Sequence, residues 1–151
     1  MKVIVTGCSN PKLEQEIIYA TKFFTKELLS RQLYKHISLE IVMMNKIEDL
    51  GTCCITYYND WYKAREFEIQ LRKKKSLKSL LMTLAHEIVH VKQFAKGELN
   101  SDNTKWKGEV IDVDNISYFD LPWEVEASSY EYILYGLYKD QRNKLMGNKD
   151  G

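Results

Sequence analysis

Residues 86–90 read His-Glu-Ile-Val-His, two imidazoles four positions apart with a carboxylate directly after the first. On a helix, residues four apart share a face, so His86 and His90 can aim ring nitrogens at one metal ion about 2.0–2.1 Å away. Glu87 then stands beside the metal, where it can take a proton from water instead of serving as a ligand. Zinc lowers the pKa of water it binds to about 7, which makes hydroxide available near neutral pH, and amide hydrolysis is the reaction this combination suits. Two of the chain's three histidines lie in this one motif. Chance would produce it in on the order of one per cent of chains this long.

A catalytic zinc takes three protein ligands and keeps one position open. His36, the remaining histidine, precedes a predicted strand and reads as a surface residue. Stronger candidates lie in Pro122-Trp123-Glu124-Val125-Glu126-Ala127, at the start of a predicted helix. Helical spacing puts Glu126 on a face with Tyr130, Ile133 and Leu137, and Glu124 on one with Ser128, Glu131 and Tyr138. The apolar face is expected to pack on the motif helix, which makes Glu126 the expected third ligand. Glu124 is then a first-turn carboxylate favoured by the helix dipole, or a partner to a ligand. Acyl hydrolysis also needs a donor for the oxyanion; Tyr118 and Tyr130 are the candidates, with Tyr118 as the working assignment.

These residues must be positioned by a scaffold. A strand over 2–6 leads to Asn10, which can cap a helix opening on Pro11 with Leu13, Ile17, Phe24 and Leu28 on its apolar face. Segments 37–43, 52–58 and 65–71 are rich in β-branched and aromatic residues, and the last alternates Phe67, Ile69, Leu71 against Glu66, Glu68, Gln70. With Asn59-Asp60 as a turn, they predict a small, largely antiparallel sheet, and strand 65–71 is expected to offer an edge to an extended peptide. Ser76 caps a long helix with a core stripe of Leu77, Leu80, Leu81, Leu84, Ile88, Val91 and Phe94, and Gly97 marks its exit. A short strand or hairpin is expected over 106–111, and Pro122 opens a last helix to about Lys139. The expectation is one α+β domain over 1–142, with a frayed tail over 143–151.

Composition narrows the setting. Hydrophobic residues make up 44% and charged residues 28% of the 151 positions, which is globular rather than disordered usage. A formal net charge of +1 creates no whole-molecule field for nucleic acid or an anionic membrane; the basic run Arg72, Lys73, Lys74, Lys75 reads as a solvated loop. No apolar stretch approaches the roughly 20 residues of a membrane span, and residues 1–5 are too short for a signal core, so a cytoplasmic location is expected. Of the three cysteines, Cys53 and Cys54 are adjacent and fall on opposite faces of a strand; reduced thiols with packing roles are expected.

With the His-Glu-x-x-His helix and a downstream glutamate, the chain resembles the gluzincin branch of zincin metallopeptidases. In particular it is similar to the small, often phage-encoded, SprT-like metallopeptidases. The matching segments are 65–69, 84–93, Trp106-Lys107-Gly108 and 122–127, which together span roughly the second half. The resemblance implies a minimal zincin fold: a small sheet, an active-site helix and a following helix that brings the last ligand. It implies Zn²⁺ on His86, His90 and Glu126, Glu87 as general base, and a protein or peptide substrate. SprT relatives that act on DNA-bound proteins use a third histidine after the motif, and no histidine follows His90 here; their substrate does not carry over. Alternatives from other classes are a non-catalytic zinc-binding phage accessory or regulatory protein, and a DNA-associated SprT-like protease motivated by residues 72–75.

Overall fold

The alternating strands and capped helices assemble into an α+β domain, seen in a computed structural model that describes residues 1–74 and 76–147. Strand β1 (Lys2–Thr6) leads to helix α1 (Pro11–Leu28), whose start is fixed by Asn10: its Oδ1 accepts hydrogen bonds from the backbone N–H groups of Lys12 and Leu13. A single turn, α2 (Arg31–Tyr34), precedes β2 (Ser38–Met44). The hairpin β3 (Gly51–Tyr58) and β4 (Ala64–Arg72) follows. Its tip is tied by Asn59, whose side chain accepts from the backbone N–H groups of Trp61 and Lys63.

The sheet order is β1-β2-β4-β3. β1 and β2 are parallel, as are β2 and β4, while β3 and β4 are antiparallel. The sheet is therefore mixed, with two of its three pairings parallel, where a largely antiparallel one was expected. Alternation in a strand reports which face is buried and carries no information about the direction of its neighbour. Here α1 forms a crossover long enough to bring β2 beside β1 in parallel, and β3 folds back outside β4, leaving β4 to pair with β2. β4 is thus interior, and the edge beside the motif helix is β3.

Ser76 caps α3 (Leu77–Ala95) through a bond its hydroxyl accepts from the Ser79 N–H, and Gly97, at φ +71°, ends the helix in the left-handed region. Phe67, Ile69 and Leu71 of β4 and Leu39, Ile41 and Met43 of β2 face α1 and α3 in one core. Burying each such side chain contributes about 1.5–3 kcal/mol.

Past α3 the chain forms a two-residue-per-strand hairpin, β5 (Lys105–Trp106) and β6 (Glu109–Val110). Lys107 and Gly108 both have positive φ at its turn, the conformation a tight hairpin requires. A second, smaller core of Leu99, Leu121 and Trp123, with Phe94 and Trp106 against it, pins this segment to the start of α4 (Pro122–Gly147). α4 runs beyond the expected end near Lys139: no proline or glycine lies between Lys139 and Gly147, and Arg142 is tied to Glu16 at 2.9 Å. Residues 143–147 of the expected frayed tail are thus helical; Lys75 and residues 148–151 lie outside the described residues. Among the described residues no helix is long and apolar enough to cross a membrane.

The face by which α4 packs differs from the expected one. Trp123, Glu124, Ala127, Leu134 and Tyr138 are buried, whereas Tyr130, Ile133 and Leu137 are 40%, 56% and 43% exposed. Apolar residues occur all round this helix, so hydropathy alone could not choose the packing face.

Candidate metal centre

The motif occupies the second half of α3, where that helix lies between the sheet and α4. His86 and His90, one helical turn apart, bring their rings to 5.0 Å between centroids. The first turn of α4 carries Glu124 into the space between them. One carboxylate oxygen lies 3.0 Å from His86 Nε2, the other 3.1 Å from His90 Nε2. The two nitrogens and the carboxylate fall within 4.8 Å of one another.

Glu126, expected as the third ligand, is directed elsewhere. Its carboxylate accepts from Lys92 Nζ at 2.8 Å and from Gln93 Nε2 at 3.2 Å. The assumption behind that expectation, that the apolar stripe of α4 faces α3, does not hold: Tyr130, Ile133 and Leu137 are exposed. The face that meets α3 carries Glu124, Ala127, Glu131, Leu134 and Tyr138, spaced by three and four; Glu124 is buried and Glu131 half-buried, each bonded to a histidine of α3.

The remaining ring nitrogens are also committed. His86 Nδ1 lies 3.0 Å from Glu131 Oε2, and His90 Nδ1 lies 2.7 Å from Gln93 Oε1. A carboxylate and an amide oxygen only accept, so both Nδ1 atoms carry hydrogen and, in neutral rings, both Nε2 atoms turn lone pairs on the Glu124 carboxylate. Four acceptor atoms converging at about 3 Å repel unless a cation sits among them. Around a tetrahedral zinc with bonds near 2.0–2.1 Å, neighbouring ligand atoms are about 3.3 Å apart, within a few tenths of these separations. His86, His90 and Glu124 could therefore hold a metal ion such as zinc, with Glu131 and Gln93 bonded to the Nδ1 atoms of the two histidines.

In protein free of metal, protons supply the cation. Burial pushes the His86 imidazole down, but the Glu124 and Glu131 carboxylates bonded to it prevail and raise it to about 10. His90 is raised in the same way, against its burial, by Glu124. Burial works to raise Glu124, yet the two histidines hold it well below the ordinary carboxylate range.

Glu87 projects from the same turn into the cleft. It is only 6% exposed, and among the described residues it has no hydrogen-bond partner; burial raises its pKa, with His90 and His86 working against the rise. Two adjoining clefts meet at this carboxylate. The larger, about 500 Å³, is lined by Leu50, Gly51, His86, Tyr118 and Phe119 among others, and the smaller, about 170 Å³, by Thr52, Cys53, His90, Asn103 and Glu124. Tyr118, in the 3₁₀ turn Tyr118–Asp120, borders both. Burial raises its phenol pKa, reinforced by Glu124, so it remains an O–H donor at neutral pH. Tyr130 lines neither cleft.

Gly51 is a site residue that spacing did not reveal. A Cβ there would stand 2.8 Å from Thr83 Cγ2 and 3.1 Å from Glu87 Cγ, so the β3 edge approaches Glu87 closely only because this position has no side chain. Cys53 lines the smaller cleft and Cys54 is exposed; burial first, then Glu87, raises the Cys53 thiol. A separate cleft of about 580 Å³ is lined by His36, Trp61 and Arg65. His36 is exposed there with no carboxylate or cysteine in the lining, so cleft volume alone does not point to the chemistry. Of the basic run, Arg72 donates to the Glu48 carbonyl and Lys74 to the Ser79 and Thr83 hydroxyls. Comparison with protein-family models, curated proteins and solved structures finds nothing that matches the chain.

Proposed function

We infer that the chain is a zinc-dependent peptidase of the small SprT-like gluzincin type, with His86, His90 and Glu124 as metal ligands and Glu87 as general base. One observation carries this reading: the imidazole nitrogens of His86 and His90 and the Glu124 carboxylate converge within 4.8 Å, with the buried Glu87 carboxylate, which has no hydrogen-bond partner among the described residues, beside them. A purely structural zinc site uses four protein ligands and has no chemical need for Glu87. When bound, zinc supplies a Lewis acid that polarises a carbonyl and acidifies water.

The chain's own groups do the rest. A Glu87 carboxylate oxygen takes a proton from the attacking water and passes it to the amine that leaves; the raised pKa that burial gives Glu87 brings it closer to the working pH of such a base. Tyr118 lines both clefts, and in this reading its hydroxyl donates to the developing oxyanion. Edge strand β3, whose residues Gly51, Thr52 and Cys53 border the clefts, offers backbone groups to an extended peptide in place of the edge first expected of β4. Replacing Glu87 with Gln keeps volume and removes the base. The variant is expected to bind one zinc per chain by metal analysis and to lose peptide hydrolysis by several orders of magnitude; retained hydrolysis would refute the assignment.

A further inference from the structure

The choice between Glu124 and Glu126 has a local cause. Gln93 lies one turn beyond His90, and its side chain is fully buried with every polar atom used. The amide oxygen faces His90 Nδ1 at 2.7 Å, while the amide nitrogen donates to the Trp123 carbonyl at 2.9 Å and to Glu126 at 3.2 Å. Trp123 immediately precedes Glu124, so one amide touches a metal-facing histidine on α3 and the backbone that delivers the carboxylate from α4. The bond from Lys92 to Glu126 at 2.8 Å completes the arrangement by holding the second carboxylate away from the histidines.

We propose that Gln93 is a positioning residue for the metal centre, fixing the His90 tautomer and latching the first turn of α4 so that Glu124, and not Glu126, completes the ligand set. The inference rests on the zinc reading. An amide suits both tasks because it accepts on one atom and donates on the other; a carboxylate serves only the first, and an apolar side chain neither. A fully satisfied buried amide specifies one arrangement of two helices, because any slip of α4 leaves its N–H groups without acceptors.

The test compares wild type, Gln93→Leu and Gln93→Glu, using zinc titration against a chelator and the ¹⁵N-coupled imidazole NH signals of the zinc-loaded protein, with circular dichroism to confirm the fold. Gln93→Leu is expected to weaken zinc binding about 10–100-fold, the range for losing a partner of a ligating histidine, and to lose the protected His90 Nδ1–H signal. Gln93→Glu should restore that signal while still binding zinc several-fold more weakly than wild type, since the bond to Trp123 is not replaced. A Leu variant within twofold of wild type, or one that keeps the signal unchanged, overturns the inference. Should Gln93→Leu not fold, Gln93→Glu decides alone, and wild-type affinity there overturns the latch. Wild-type protein that binds no zinc removes the peptidase reading and this inference together; zinc binding that ignores residue 93 removes only the latter.

Discussion

Alanine at Glu124 and at Glu126 should have very different consequences for zinc, although the residues are two apart on one helix turn. Glu124 is 5% exposed, and its two oxygens lie 3.0 and 3.1 Å from the histidine Nε2 atoms. Zinc bound by four protein ligands is worth about 10–16 kcal/mol, so one ligand accounts for roughly 2.5–4 kcal/mol. At about 1.4 kcal/mol per factor of ten, Glu124→Ala should weaken zinc by about 10²–10³-fold. Glu126 loses only its bonds to Lys92 and Gln93, and Lys92 keeps Glu98 at 2.8 Å. Glu126→Ala should therefore cost about 1 kcal/mol of stability, with zinc affinity changed less than about threefold. Competition with a chromogenic chelator gives both affinities, and circular dichroism of the metal-free proteins shows that each variant is folded. A Glu126→Ala affinity below that of Glu124→Ala would refute the ligand assignment and the packing argument beneath it.

Gly51→Ala forces a methyl to 2.8 Å from Thr83 and 3.1 Å from Glu87, so it should cost about 1–3 kcal/mol in denaturant unfolding and lower kcat while zinc content holds; unchanged turnover would show that the close β3 approach is irrelevant to the base. Tyr118→Phe should reduce kcat on the order of 10²-fold with little change in KM if the hydroxyl serves the oxyanion, and a change confined to KM would reassign it to substrate binding. Metal removal should make stability strongly pH-dependent. His86 sits above its usual 6.5, at about 10, so its contribution is complete below pH 6.5 and drains away as pH rises through about 10. Glu124 sits below its usual 4.5, so its contribution is present above pH 4.5 and is lost as pH falls towards its depressed value. Thermal midpoints in chelator should accordingly be highest near pH 4.5–6.5 and fall on the alkaline side, while added zinc, which displaces the protons, should remove the alkaline fall. A flat alkaline limb in chelator would contradict the carboxylate–histidine pairing.

Several features were legible in the chain itself because they depend on short-range physics. The four-residue spacing of His86 and His90, the caps at Asn10 and Ser76, the stop at Gly97 and the alternation through Phe67, Ile69 and Leu71 each follow from local geometry, and the structure holds all of them. Other features had no local cause. The direction of β2 relative to β1 and β4 was set by a crossover and by a hairpin folding outward, neither of which is written in strand periodicity. The face of α4 that meets α3 was decided by what it meets: Glu124 and Glu131 are drawn in by imidazole nitrogens, and Lys92 and Gln93 occupy Glu126. The sequence alone thus determined the His86-Glu87-x-x-His90 half of the proposed site, because those residues share one helix. Tertiary packing decided which carboxylate joins the two histidines, since Glu124 and Glu126, two positions apart, differ only in which neighbours the fold brings to them.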